Sequence, residues 1–129
     1  MKETTCFDNG ILTYSAEKKI LKPIALFYLV KAKFNHSIIY NYTPRKLAKL
    51  TNLHPKTIER YVKKLEQYGF VKHRDRHLLF IGRYKLDMSK GYKHLKTKPF
   101  TSFEGILNRI YFLILINNKA QQTYKIATN

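Results

Sequence analysis

Residues 43–83 read TPRKLAKLTNLHPKTIERYVKKLEQYGFVKHRDRHLLFIGR. Thr43-Pro44 is a helix-start pair. A threonine hydroxyl accepts from a backbone N–H of the first turn, and proline gives up a hydrogen bond that the first position lacks anyway. A short helix follows over 45–50, closed by a turn at Thr51-Asn52-Leu53. His54-Pro55 opens a longer helix over 55–68, because proline disfavours helical geometry at the residue before it and suits the first turn itself. Inside it Ile58, Tyr61, Val62 and Leu65 recur at helical spacing, and Gly69 stops it. The runs 70–73 and 78–82 are strand-like and flank the charged tip Arg74-Asp75-Arg76-His77, which predicts a hairpin. Ala48 is small enough for the two helices to approach closely. Leu47, Leu50, Leu53, Ile58, Val62 and Leu65 would bury together, which leaves Lys56, Thr57, Arg60, Lys63 and Lys64 pointing outward.

Upstream, 38–42 is β-branched and aromatic and suits a small strand. A helix is expected over 15–34, with Ser15 as its cap and Glu17 in its first turn. Pro23 falls inside it, which predicts a kink or a new start there. Ile20, Ile24, Phe27 and Lys31 mark one stripe, and 24–30 is apolar nearly all round, the pattern of a deeply buried helix. Residues 1–14 read as an arm, with a turn at Asp8-Asn9-Gly10 and a short strand at 11–14.

Downstream, 84–100 holds five lysines and little periodicity and reads as a basic connector. Thr101-Ser102-Phe103-Glu104 fits a capping box, opening a helix over 101–118 that should end near Asn117-Asn118. Residues 119–129 are expected to be a loosely held, flexible tail. The last helix carries Phe103, Ile106, Leu107, Ile110, Leu113 and Ile114 as a broad apolar stripe, widened by Tyr111, Phe112, Leu115 and Ile116. One small domain absorbs one face of such a helix. It either packs on the first helix of its own chain or joins a second copy in a homodimer. The expected fold is mainly α with a small β-hairpin, an α+β chain whose principal domain spans 15–83.

The 129 residues carry 25 Lys plus Arg against 8 Asp plus Glu, a formal net charge of +17. That imbalance costs self-repulsion unless a polyanion supplies counter-charge. Nucleic acid is the first candidate partner and an anionic membrane surface the second. The charge is uneven: 11 basic and 3 acidic residues lie in 43–83, against 6 and 3 in 1–42 and 8 and 2 in 84–129. A basic protein of an A/T-rich genome has no reason to concentrate charge on the segment of paired helices and hairpin. Cys6 is the single cysteine, so one chain builds no disulfide and no cysteine-based zinc site, and a reducing, cytoplasmic setting is expected. Residues 1–10 have charges of both signs and no apolar run, unlike a signal peptide. The longest greasy stretch, 106–116, contains Asn108 and Arg109 and falls short of the about 20 residues a membrane span needs, so no membrane is expected.

The order helix, short strand, short helix, tight turn, longer helix, hairpin resembles the winged helix-turn-helix family. The residues that carry the resemblance are Leu47-Ala48 with Leu53 around the turn, then the run from Lys56 through Glu59-Arg60-Tyr61-Val62 to Tyr68-Gly69-Phe70-Val71. It covers about residues 20–83. The resemblance implies binding to double-stranded DNA, with the helix 55–68 in the major groove and the wing 70–82 on the backbone or in the minor groove. Lys56, Thr57, Arg60 and Lys63 become base-reading candidates, with Arg60 placed for a bidentate contact to guanine worth about 1–3 kcal/mol. Thr43, Arg45, Lys46 and Lys64 become phosphate contacts, the first three at a helix start whose amides favour an anion. Arg74, Arg76 and His77 form the wing tip. Glu59 either accepts from cytosine or pairs with Lys63 four residues on. The implied role is a sequence-specific regulator of transcription. A replication initiator or organiser of a phage or plasmid, and a non-catalytic adaptor in a nucleoprotein assembly, stand as alternatives. A two-fold dimer would read a palindromic site.

His73 and His77 are four apart, but in a hairpin that spacing does not put them on one face, and no cysteine or carboxylate cluster joins them. Asp8, Asp75, Asp87 and Glu104 are scattered and make no acid/base pair. Neither a nucleophile elbow nor a glycine-rich phosphate loop occurs. No catalytic site, metal or cofactor is expected.

Overall fold

A computed structural model describes residues 5–33, 38–80, 94–97 and 102–128, with side chains over 10–32, 38–80 and 102–116. Two helices, α1 (Asn9–Glu17) and α2 (Leu21–Lys33), stand where one was expected. The break is a left-handed cap. Lys19 has φ of 60°, its N–H donates to the Ala16 carbonyl (3.2 Å), and the Ile20 N–H donates to the Ser15 carbonyl (2.9 Å). The chain restarts at Leu21 with Pro23 in the first turn, where a missing N–H leaves no bond unmade. Pro23 therefore marks a new start and not a kink. Ser15 caps nothing; it lies within α1 and is fully buried. The end of a strand at Asp8 and helix from Asn9 onward replace the expected turn at 8–10 and strand at 11–14, and Ile11 and Leu12 are buried on the helix. A four-residue apolar run cannot by itself separate the two periodicities.

Every residue from Ile24 to Val30 is buried, as an apolar surround requires. The helix carrying them is the centre of the fold and packs against the helices before and after it. Lys31 ends its stripe by laying its ammonium 5.7 Å from the Phe27 ring centroid and donating to the Phe80 carbonyl (3.0 Å). A cation thus sits at the edge of the core with its stem buried and its charge satisfied.

Then come β2 (Ile38–Ile39), α3 (Pro44–Thr51), α4 (Pro55–Gln67), β3 (Val71–Arg74) and β4 (His77–Phe80). The three strands form an antiparallel sheet in the order β2-β4-β3. Ile39 lies opposite Leu78, and Val71 opposite Phe80. Arg74 pairs with His77, so the loop of the hairpin is the two residues Asp75-Arg76, with Asp75 left-handed at φ 56°. A second, two-stranded sheet joins β1 (Thr5–Asp8) to β5 (His94–Thr97), with Thr5 opposite Thr97 and Asp8 opposite His94. The second of these strands interrupts the segment expected to be a plain connector.

The last element is α5 (Phe103–Thr128). Its cap is Ser102, whose Oγ accepts from the Gly105 N–H (3.1 Å). The helix passes through Asn117-Asn118 and takes in 119–128, where a loose tail was expected. Phe103, Ile106, Ile110 and Leu113 are buried, and Leu107 and Ile114 pack half-buried against the same core, with α2 as the main neighbour. Of the six residues named for dimerisation, four are therefore buried by their own chain, and Leu107 and Ile114 are half-buried against it. Tyr111, Phe112, Leu115 and Ile116 are left exposed. The chain is mainly helical with a small antiparallel sheet, an α+β fold, and among the described residues no helix is long and apolar enough to cross a membrane.

Candidate nucleic-acid interface

The helix pair α3 and α4 is fixed at each end by local hydrogen bonds. Thr43 Oγ1 accepts from the Lys46 N–H (3.1 Å), and Pro44 takes the first helical position. Asn52 closes the helix in the left-handed region (φ 61°), its N–H donating to the Ala48 carbonyl (2.8 Å). His54 then caps the second helix, with Nδ1 accepting from the Lys56 N–H (3.1 Å). Gly69 ends it at φ 82°, through the bonds Gly69 N–H to Glu66 carbonyl (3.2 Å) and Phe70 N–H to Leu65 carbonyl (2.8 Å).

Ile58, Val62 and Leu65 are buried, with Leu47 and Ala48 on the partner helix; Leu50 and Leu53 are half-buried beside them. One side of α4 is thus committed to the core. The opposite side carries Lys56, Arg60, Lys63 and Lys64, all exposed, with Thr57 half-buried at its margin. Arg45 and Lys46 on α3 and Arg74 and Arg76 on the hairpin are exposed as well. Among these cations Lys46 is engaged: its ammonium donates to the Tyr40 carbonyl. With Pro44 lacking an N–H and the Lys46 amide held by Thr43, the Arg45 amide is the first-turn donor left for an anion.

His77 is tied into the fold. Its Nδ1 accepts from the Asn41 N–H (3.1 Å), its ring meets Tyr40 edge-on at 5.0 Å between centroids, and it is half-buried. The Tyr42 N–H donates to the Arg76 carbonyl (2.9 Å) beside it. Together these bonds tie the hairpin to the segment before α3. His73 stands apart from His77 and faces Glu66, Nε2 to Oε2 at 3.6 Å.

Glu59 makes no ion pair with Lys63 or any other described residue within 4 Å. It lies on the side of α4 facing Tyr42. Burial, and after it the Glu59 charge, pushes the Tyr42 hydroxyl from 10.0 up to about 12. The contact between Tyr42 and His73 (ring centroids 6.0 Å apart) is a feature that the sequence reading missed, since the two rings come from separate elements. On the other side of α4, the Arg60 guanidinium sits 5.8 Å from the Tyr61 ring centroid, and Tyr61 stacks on Phe103 at 5.9 Å and 19°. Arg60, the leading base-reading candidate, therefore rests toward the start of α5.

The class of molecule these features define is an α+β chain with one basic, solvent-facing helix beside a cationic hairpin tip. No family model matches the chain, and neither does any curated protein or solved structure.

Proposed function

We propose that the chain is a winged helix-turn-helix protein that binds double-stranded DNA at specific sequences and regulates transcription without catalysing a reaction. The observation that carries this reading is the division of α4. Its Ile58, Val62 and Leu65 side is buried, and Lys56, Arg60, Lys63 and Lys64 are exposed on the opposite side, with the exposed Glu59 and Glu66 along one edge of it. A helix of that shape and sign fits the major groove, which admits one helix and offers guanine acceptors to arginine. Arg74 and Arg76 at the hairpin tip suit the neighbouring backbone or a narrow minor groove. Glu59 and Glu66 lie on the side facing Tyr42 and His73, so they set the edge of the positive face and do not divide it.

The test is selection of bound sequences from a random duplex pool at near-physiological salt. A regulator enriches one motif. Binding of all duplexes alike, with steep salt dependence, would reject sequence reading and leave the adaptor role.

A further inference from the structure

The turn between α1 and α2, one side of α4, and α5 meet around an open cleft of about 460 Å³. That volume lies in the range of small-molecule sites. Lys19 lines it from the turn and Lys22 from the start of α2, Arg60 and Lys64 line it from α4, and the rings of Tyr61 and Tyr111 contribute apolar wall. The remaining wall is aliphatic, and no carboxylate lines it. Four cations from two distant parts of the chain thus surround an apolar floor with no counter-charge. Lys19 holds its place with a left-handed backbone, a conformation that favours glycine.

We propose that this cleft binds a small aromatic anion, a flat apolar body bearing a carboxylate, sulfonate or phosphate, and that the occupant holds Arg60 and Lys64 away from DNA. The rings and aliphatic wall bury the body, and the cations take the charge. Arg60 connects the two functions. It lines the cleft, its guanidinium already rests by the Tyr61 ring, and it is also the leading base-reading candidate. An anion that engages it opposes DNA, and DNA opposes the anion by the same factor. The coupling rests on the DNA-binding reading; the site itself does not.

The probe is 8-anilinonaphthalene-1-sulfonate, titrated by fluorescence into the full chain without DNA. Saturable binding at one site is expected. Lys22→Glu and, separately, Tyr111→Ala should weaken it about tenfold or more, the loss of one charge-assisted or stacking contact. Lys49→Glu, a charge reversal on α3 outside the cleft, and Leu115→Ser, on the exposed part of α5, should leave it unchanged. Equal effects of Lys22→Glu and Lys49→Glu, or loss of binding in Leu115→Ser alone, would overturn the site. Thermal unfolding of each variant shows whether the fold is kept. With a bound duplex in hand, probe should weaken DNA binding by wild type, and the same weakening of Tyr111→Ala should need about tenfold more probe. Undiminished DNA affinity at saturating probe would overturn the coupling while the site stands, and absence of DNA binding would count against the DNA reading alone.

Discussion

Tyr42 is, among the described residues, the side chain whose ionisation the fold alters most clearly, and the sign of the effect can be worked out. The unfolded chain releases that proton near pH 10, whereas the folded chain keeps it to about 12. Between those values the unfolded state binds fewer protons, so stability falls as pH rises through the window. Tyr42→Phe should flatten that loss, measured as denaturant midpoints at neutral pH and just above pH 10. Glu59→Gln should lower the late step in tyrosinate absorbance only part of the way, because burial is the larger cause. A late step that survives Tyr42→Phe would assign it to another tyrosine. Arg60 gives the second residue-scale prediction. Arg60→Ala should cost about 1–3 kcal/mol at one base position and relax preference there, while Arg45→Ala weakens all duplexes about equally. If Arg60→Ala changes neither affinity nor preference, the outward face of α4 is not what reads DNA. The exposure of Lys56, Arg60 and Lys63 could be read from sequence because the stripe of Ile58, Val62 and Leu65 dictates it. The role of His77 could not, because the N–H it accepts from belongs to Asn41, far away in sequence.

Elements closed by local chemistry are the ones the sequence announces. Thr43-Pro44, Asn52, His54-Pro55 and Gly69 each act through bonds spanning a few residues, and α3, α4 and the hairpin follow from them. Gly69→Ala isolates one such bond set. A Cβ there meets nothing within 4 Å, so the cost is the left-handed backbone alone, about 1–2 kcal/mol, read as a lower unfolding midpoint. Gly69→Asn should cost less; equal losses would point to a lost contact and not to the backbone. Elements fixed by distant partners were hidden. The strand His94–Thr97 is set by its pairing with β1, and α1 by burial of Ile11 and Leu12. Ser15 shows the consequence. Read as a cap, it lies instead inside α1 with its hydroxyl buried and without a hydrogen-bond partner among the described residues. Ser15→Ala should therefore raise stability by about 1 kcal/mol, removing an unsatisfied group and improving helix propensity. A loss of stability on that change would mean the hydroxyl has a partner.

At the scale of the molecule, the sequence left the apolar surface of α5 between two destinations, and the packing takes one side of it into the chain's own core. One side is buried on α2, while Tyr111, Phe112, Leu115 and Ile116 stay exposed, so the buried Phe103, Ile106, Ile110 and Leu113 are not surface that this helix offers to a second copy. The net charge of +17 acts on the whole chain and gives folding and binding opposite responses to salt. Like charges repel in the compact state, and added salt screens them, so the unfolding midpoint should rise as ionic strength increases from a low value. DNA binding should weaken over the same range, because each neutralised phosphate releases condensed counterions. Seven exposed cations form the proposed interface: Arg45, Lys56, Arg60, Lys63, Lys64, Arg74 and Arg76. If all seven face phosphate, the slope of log affinity against log salt is about −6, and each lysine or arginine removed lowers its magnitude by about one. A slope near −1 would mean that α4 and the hairpin tip do not act on the same duplex. A midpoint that falls with salt would mean that the positive charges are already compensated within the fold.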